Sequence, residues 1–267
     1  MTILLMVLFF IVGALVGSFI NVVADRLPVG KSIISPPSHC VECQHPISAR
    51  DNIPIVSYLC LRGHCRNCGA TIPRRLLWVE LGTALLFAFL YWHYGLSWET
   101  AFIAFYCCLF ISFLLIDLER SILPNKLVYP GIVIALVIAS MGSIFGFEPN
   151  DIIGGGFRLW IVDAAIGGGI GFLLLLLPAL LYRGGMGWGD IKLAALIGFV
   201  TGFPLVILAM FFAVIAGGLT AAILLLLKLK GRKDAIPFGP FLSLAAMATL
   251  FWGKDVLDWL MITFAVK

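Results

Sequence analysis

The stretch Thr2–Ala24, TILLMVLFFIVGALVGSFINVVA, runs for 23 residues without a charged side chain. A helix needs about 20 largely apolar residues to cross a bilayer, so this segment has the length and chemistry of a membrane span. A secretory signal fits it poorly. No positively charged region precedes it, the apolar run is too long, and Gly17-Ser18-Phe19 is not a small-x-small cleavage site. The segment is expected to stay as a first transmembrane helix. The rest of the chain agrees: 61% of its 267 residues are apolar and 12% are charged, against about 45–50% and about 25% in soluble domains. A soluble globular protein, a disordered chain, a collagen and a disulfide-stapled secreted scaffold are all excluded. A net charge of +4 is too small to point to nucleic acid, and none is expected as a partner.

Beyond Ala24 the composition changes abruptly. Residues 25–77 hold seven Lys/Arg, several prolines and five of the seven cysteines, and form the only soluble module. Apolar stretches then recur at Trp78–Tyr94, Thr100–Leu118, Leu127–Phe145, Leu159–Tyr182, Ile191–Val200, Phe203–Leu227 and Phe238–Trp252, the last with a less apolar extension. Turn residues separate them, as at Leu123-Pro124-Asn125 and Thr201-Gly202-Phe203-Pro204. The expected fold is an all-α polytopic membrane protein with about eight transmembrane helices. Its expected parts are the first helix (1–24), a cytoplasmic loop domain (25–77) and a seven-helix membrane domain (78–267).

Orientation follows from the Lys/Arg content of short loops. With the 25–77 module cytoplasmic, Arg120, Lys126, Arg183, Lys192, Lys228, Lys230, Arg232 and Lys233 join it on the inner side. Only Arg158, Lys254 and Lys267 remain outside. This arrangement puts both termini outside. It also makes Ile191–Val200 a crossing, too short for lipid at 1.5 Å per residue and therefore expected to lie inside the bundle.

Within the loop, Cys40-Val41-Glu42-Cys43 and Cys65-Arg66-Asn67-Cys68 form two C-x2-C knuckles, 21 residues apart. Four thiolates in that pattern suit a tetrahedral zinc ion; the competing readings are free thiols or two disulfides. A loop of 53 residues with few large apolar groups gains much of its folding free energy from such a metal. Four thiolates leave no open coordination position, so the zinc would be structural. Cys60 belongs to neither knuckle. His39, His45 and His64 are either solvated or donors beside the metal. Cys107 and Cys108, inside an apolar span, read as small core residues.

Acidic residues in membrane segments are costly and are functional candidates by default. Asp117 ends the third span as it reaches the inner face, and Asp190 opens the sixth from that face, so both lie at one depth. Asp163 begins the fifth span near the outer face, and Glu80 sits at the inner end of the second. Two carboxyls held close in a low-dielectric site cannot both ionise and share one proton. The ionised member can activate water while the other protonates a scissile carbonyl, giving peptide hydrolysis without a metal. The plainer alternatives are that Asp117 pairs with Lys126 or Arg120 and that Asp190 caps its helix.

Gly187-Trp188-Gly189-Asp190 resembles the Gly-x-Gly-Asp signature of intramembrane aspartyl proteases. Taken with Asp117 and Ile122-Leu123-Pro124-Asn125, the chain resembles the type IV prepilin peptidase family. Further matching motifs are Gly17-Ser18-Phe19-Ile20-Asn21, Arg26-Leu27-Pro28, Asp51-Asn52-Ile53-Pro54, Ser57-Tyr58, Arg62-Gly63, Val79-Glu80 and Pro237-Phe238-Gly239-Pro240-Phe241. The resemblance implies a multi-pass enzyme of the bacterial inner membrane that removes the short basic leader of type IV prepilins or pseudopilins at the cytoplasmic face. It implies Asp117 and Asp190 as the catalytic pair. It also implies methylation of the new N-terminal residue, usually phenylalanine, with S-adenosylmethionine, an activity associated with the cysteine loop. No strand followed by Gly-x-Gly-x-x-Gly marks a site for that donor; Gly154–Gly156 reads as a loop and Gly167–Gly169 as a helix contact. Glu80 is a candidate for the methylation site, for binding the leader's positive charge, or for a helix-dipole partner. Lys192 either acts on the dyad or marks the membrane interface. Other readings are a presenilin or signal-peptide-peptidase type protease, although Ile116 rather than tyrosine precedes Asp117, and a transporter moving protons or cations on its carboxylates.

Overall fold

The computed structural model describes residues 2–145, 160–181, 187–229, 231 and 236–265. Among these the secondary structure is helical, with no strand beyond the isolated bridges His39–Pro46 and His64–Thr71. The helices are α1 Thr2–Arg26, α2 Val56–Cys60, α3 Arg74–Tyr94, α4 Trp98–Arg120, α5 Asn125–Phe145, α6 Trp160–Leu181, α7 Trp188–Thr201, α8 Leu205–Leu226 and α9 Gly239–Ala265. Every expected apolar segment is a helix. The short α2 lies in the loop module, outside the expected membrane segments.

Among the described residues six helices, α1, α3, α4, α5, α6 and α8, are long and apolar enough to cross a membrane, and the protein is a multi-pass membrane protein. Of the expected membrane segments, α7 and α9 differ for opposite reasons. Helix α9 has 27 residues but carries Lys254, Asp255 and Asp258. Helix α7 has 14 residues, about 21 Å of rise, against a hydrocarbon core of about 30 Å. Its Ile191, Leu193 to Gly198, Val200 and Thr201 are all buried, so protein surrounds it, as its shortness required. Gly154–Gly156, Arg158, Arg183, Lys230, Arg232, Lys233 and Lys267 lie outside the described residues.

The chain forms two compact units, Met1–Cys108 and Leu109–Lys267. In the first, α1 and α3 run antiparallel: the Phe9 and Tyr91 rings meet at a tilt with centroids 4.8 Å apart, Gly17 meets Val79, Glu80 and Thr83, and Asn21 meets Leu76. A Cβ at Gly17 would land on the Thr83 hydroxyl and 2.8 Å from Glu80 Cα. Glycine is therefore what lets the two backbones approach, the small-residue contact common between membrane helices. An Arg75–Asp25 ion pair of 2.7 Å closes the end of this seam next to the loop module.

In the second unit α7 packs along α6. A Cβ on Gly198 would strike the Gly167 carbonyl, one on Gly167 would strike the Gly198 carbonyl, and one on Gly171 would strike the Ala194 carbonyl. Gly168 meets the Phe199 ring, whereas Gly169 faces open space. The expected glycine contact thus involves two of the three consecutive glycines. With α6 so close, α7 stays enclosed although it cannot span lipid alone.

Candidate active site and thiol cluster

Asp190 is positioned by how α7 begins. Gly187 is the residue before the first helical turn, with extended backbone at φ −74° and ψ 140°. The Asp190 N–H donates to the Gly187 carbonyl at 3.1 Å, and the Asp190 carboxylate accepts from the Gly187 N–H. This is half of a capping box, so the capping alternative describes part of what Asp190 does. The intervening Gly189 lies against Leu123, where a Cβ would come within 2.9 Å.

Asp117 occupies the last turn of α4 and is only 5% exposed. Its Oδ2 accepts the backbone N–H of Gly239, the first residue of α9, at 3.0 Å. Helix N-termini present unpaired N–H groups and a partial positive charge, which suits a carboxylate there. Among the described residues Asp117 makes no ion pair with Lys126 or Arg120, and its hydrogen-bond partner is the Gly239 amide. The charge on Asp117 acts directly on Asp190. Asp117 and Asp190 thus belong to one unit and lie within electrostatic reach of each other, with a backbone donor on each. The role of Gly239 was not legible beforehand, because a backbone donor 122 residues away leaves no mark in side-chain type.

Other polar residues fall elsewhere. The Lys192 ammonium donates to Asn125 Oδ1 at 3.1 Å and lies 5.5 Å from the centre of the Tyr129 ring, tying α7 to α5. Asp163 is buried on α6. In the first unit, the Glu80 carboxylate accepts the Ile55 N–H at 2.7 Å and the Ser18 hydroxyl.

The four cysteines of the knuckles converge. The Sγ atoms of Cys40, Cys43, Cys65 and Cys68 all lie within 4.8 Å of one another, and those of Cys40 and Cys68 are 3.7 Å apart. A tetrahedral ion with metal–sulfur bonds of about 2.3 Å requires sulfurs about 3.8 Å apart, so the cluster could hold such an ion. The knuckles repeat one backbone design. Gln44 N donates to Cys40 O at 3.0 Å and Gly69 N to Cys65 O at 2.9 Å, both from left-handed residues, while Cys40 N and Cys65 N donate to His45 O and Ala70 O. Amides of Cys68 and Asn67 lower the Cys65 thiol to about 7, which favours the metal-binding thiolate. The Ala70 amide favours the Cys68 thiolate too, but burial and the three facing thiols push that group up to about 12. Cys60 stays outside, exposed, and His39 and His64 turn to the carbonyls of Pro37 and Arg62.

The second knuckle is fastened to the rest of the loop through Arg66. Its guanidinium gives Asp51 two bonds from Nε at 3.0 and 3.1 Å and one from Nη2 at 2.6 Å, with the Ser48 hydroxyl completing the site at 3.0 Å. This pairing holds the Asp51 carboxyl below its usual range.

Comparison with known proteins adds the lineage. Residues 11–94 match the bacterial Peptidase A24 N-terminal domain, and residues 103–222 match the type IV leader peptidase family. Relatives from Stutzerimonas stutzeri, Aeromonas hydrophila and Bacillus subtilis, each named prepilin leader peptidase/N-methyltransferase, are each 31% identical. The alignments cover 92%, 96% and 93% of this chain and 90%, 94% and 95% of the relatives respectively. No solved structure matches. The aspartate pair, the paired knuckles and the matches along most of the sequence lead to one assignment: the chain belongs to the type IV leader peptidase family.

Proposed function

We propose that this protein is an aspartic endopeptidase that removes the short basic leader from type IV prepilins or pseudopilins, with Asp117 and Asp190 as its catalytic pair. What supports the reading is that these two carboxyls lie in one unit within electrostatic reach of each other, Asp117 in the last turn of α4 and Asp190 in the first turn of α7. In the reaction one carboxyl, ionised, takes a proton from the attacking water. The other, protonated, gives its proton to the scissile carbonyl and later supports departure of the amine. The Gly239 N–H holds the Asp117 side chain in place through both stages. The exposed Gly187 leaves room beside Asp190 for an extended substrate backbone, while Gly189 lets Leu123 pack close.

In this reading the site faces the cytoplasm at a bacterial inner membrane, where a substrate's apolar helix reaches it through the lipid; the Lys/Arg bias of the short loops supports that side. In this reading the domains are residues 1–24, 25–77 and 78–267, the last being the peptidase. Zinc is the ion that fits the cluster: Cys40, Cys43, Cys65 and Cys68 would hold it, and it would fold the loop without joining in hydrolysis.

The names of the relatives support a second reaction, N-methylation of the residue exposed by cleavage. S-adenosylmethionine would supply an electrophilic methyl group. The described residues contain no strand, and hence no strand-to-glycine-loop cradle of Rossmann type. We assign this reaction to the 25–77 module and its membrane neighbours, with Glu80 as the candidate residue. The test is to incubate purified protein in lipid with a prepilin and methyl-labelled S-adenosylmethionine, scoring leader loss and label transfer separately. Leader loss with label on the product supports both activities; an intact prepilin contradicts the peptidase.

A further inference from the structure

The seam between α1 and α3 gathers polar groups that peptide hydrolysis leaves unused. Glu80, on α3, is only 8% exposed, and among the described residues no Lys, Arg or His pairs with it. Its two partners, the Ile55 amide and the Ser18 hydroxyl, are neutral donors. A carboxylate at membrane depth normally meets a cation or another strong compensation.

One helical turn further in lies Asn21, 3% exposed. Its Nδ2 donates to the Leu76 carbonyl at 3.2 Å, which leaves Oδ1 buried without a donor. A side chain on α3 leans toward its helix N-terminus, so the Glu80 carboxylate leans toward the level of Asn21. The seam therefore offers one negative charge and one unmet acceptor, and lacks a positively charged donor.

The group now on Glu80 is poorly suited to stay there. Ile55 has φ +63° and ψ −54° and sits at the centre of a γ-turn closed by Val56 N donating to Pro54 O at 2.6 Å, a positive-φ backbone that a β-branched residue adopts only under strain. Its amide fills the carboxylate as a neutral donor from a loop segment whose residues Ile53, Val56 and Leu59 are exposed.

We propose that the α1–α3 seam is a binding site for an alkylammonium group, with Glu80 as counter-charge, Asn21 Oδ1 as second acceptor, and the Ile55 amide as the group that the ligand's N–H displaces. This deepens the proposed methylation and rests on that reading for its biological purpose. Two sources carry this chemistry: the free N-terminal amine of a cleaved substrate, and the amino group of S-adenosylmethionine.

The experiment measures equilibrium binding to the full-length protein in lipid nanodiscs. Three probes are used: a short apolar peptide beginning with a free phenylalanine amine, its N-acetylated twin, and S-adenosylmethionine. The variants are Glu80→Gln and Asn21→Leu. Glutamine keeps an oxygen for Ile55 and Ser18, so a purely loop-anchoring role survives that change, whereas charge pairing does not. We expect Glu80→Gln to weaken at least one amine-bearing probe tenfold or more, and Asn21→Leu to weaken the same probe several-fold. A loss confined to the free-amine peptide, with the acetylated twin weak throughout, assigns the site to the substrate. A loss confined to S-adenosylmethionine assigns it to the donor. Unchanged affinity for every probe in Glu80→Gln overturns the proposal, as does failure of wild type to bind either amine-bearing probe. Methyl transfer by wild type is scored separately: if it is present while the affinities do not change, the site fails and the methyltransferase reading stands. If it is absent while the amine selectivity holds, the reverse applies.

Discussion

Gly239 and Asp117 stand 122 residues apart in sequence and meet through one hydrogen bond, the Gly239 N–H donating to Asp117 Oδ2 at 3.0 Å. The contact leaves no room for a side chain, since a Cβ on Gly239 would lie 2.6 Å from that oxygen and 3.0 Å from Cγ. The first turn of α9 therefore sets where one of the two carboxyls can be.

Gly239→Ala should move Asp117 out of place without unfolding the protein. Misplacing a reacting group by about 1 Å costs on the order of 10²-fold in rate, so leader cleavage should fall by that order while membrane insertion and thermal stability stay close to wild type. Cleavage time courses of a prepilin in nanodiscs measure this, and a rate within twofold of wild type would show that the contact is dispensable.

The α6–α7 seam makes a paired prediction. Gly198→Leu drives a side chain into the Gly167 carbonyl, and overpacking of this kind costs about 1–3 kcal/mol or more. It should lower the unfolding temperature and, because α7 carries Asp190, cleavage as well. Gly169→Ala, which meets nothing within 4 Å, should change neither.

Much of this architecture was legible in the sequence, for identifiable reasons. Long uncharged runs such as Thr2–Ala24 admit one solvent and one secondary structure, and the C-x2-C spacings report a local backbone shape. Asp117 and Asp190 stood out because a carboxyl at membrane depth is rare. What could not be read depends on tertiary contact. Gly239 looks like any turn glycine, and Lys192 gives no hint in sequence that it bonds Asn125 and sits over Tyr129. The positive-φ Ile55 is likewise invisible, because isoleucine is a residue from which no such backbone is expected.

For the loop, intact protein should carry one zinc ion per chain, and Cys40→Ser or Cys68→Ser should lose it. Elemental analysis after extensive dialysis reads this directly. Since a structural metal supplies much of a small module's folding free energy, chelation should also make residues 25–77 sensitive to proteases while the membrane helices resist. Metal-free protein with an equally resistant loop would contradict the assignment.

Arg66→Gln should separate fastening from metal binding. It removes the fork that grips Asp51 but none of the four sulfurs. Hydrogen exchange should speed up across residues 48–60, and zinc content should stay at the wild-type level. Loss of zinc in this variant would show that the Asp51 contact is part of the metal site itself.

The central claim is that Asp117 and Asp190 together perform the hydrolysis. Its most direct test is the rate at which purified Asp117→Asn and Asp190→Asn, each shown to be inserted and folded in nanodiscs, remove the leader from a prepilin. Asparagine keeps the shape and loses the transferable proton, so each variant should be slower by at least about 10²-fold, the usual contribution of a positioned acid or base. Cleavage by either variant at a rate close to wild type would contradict the account.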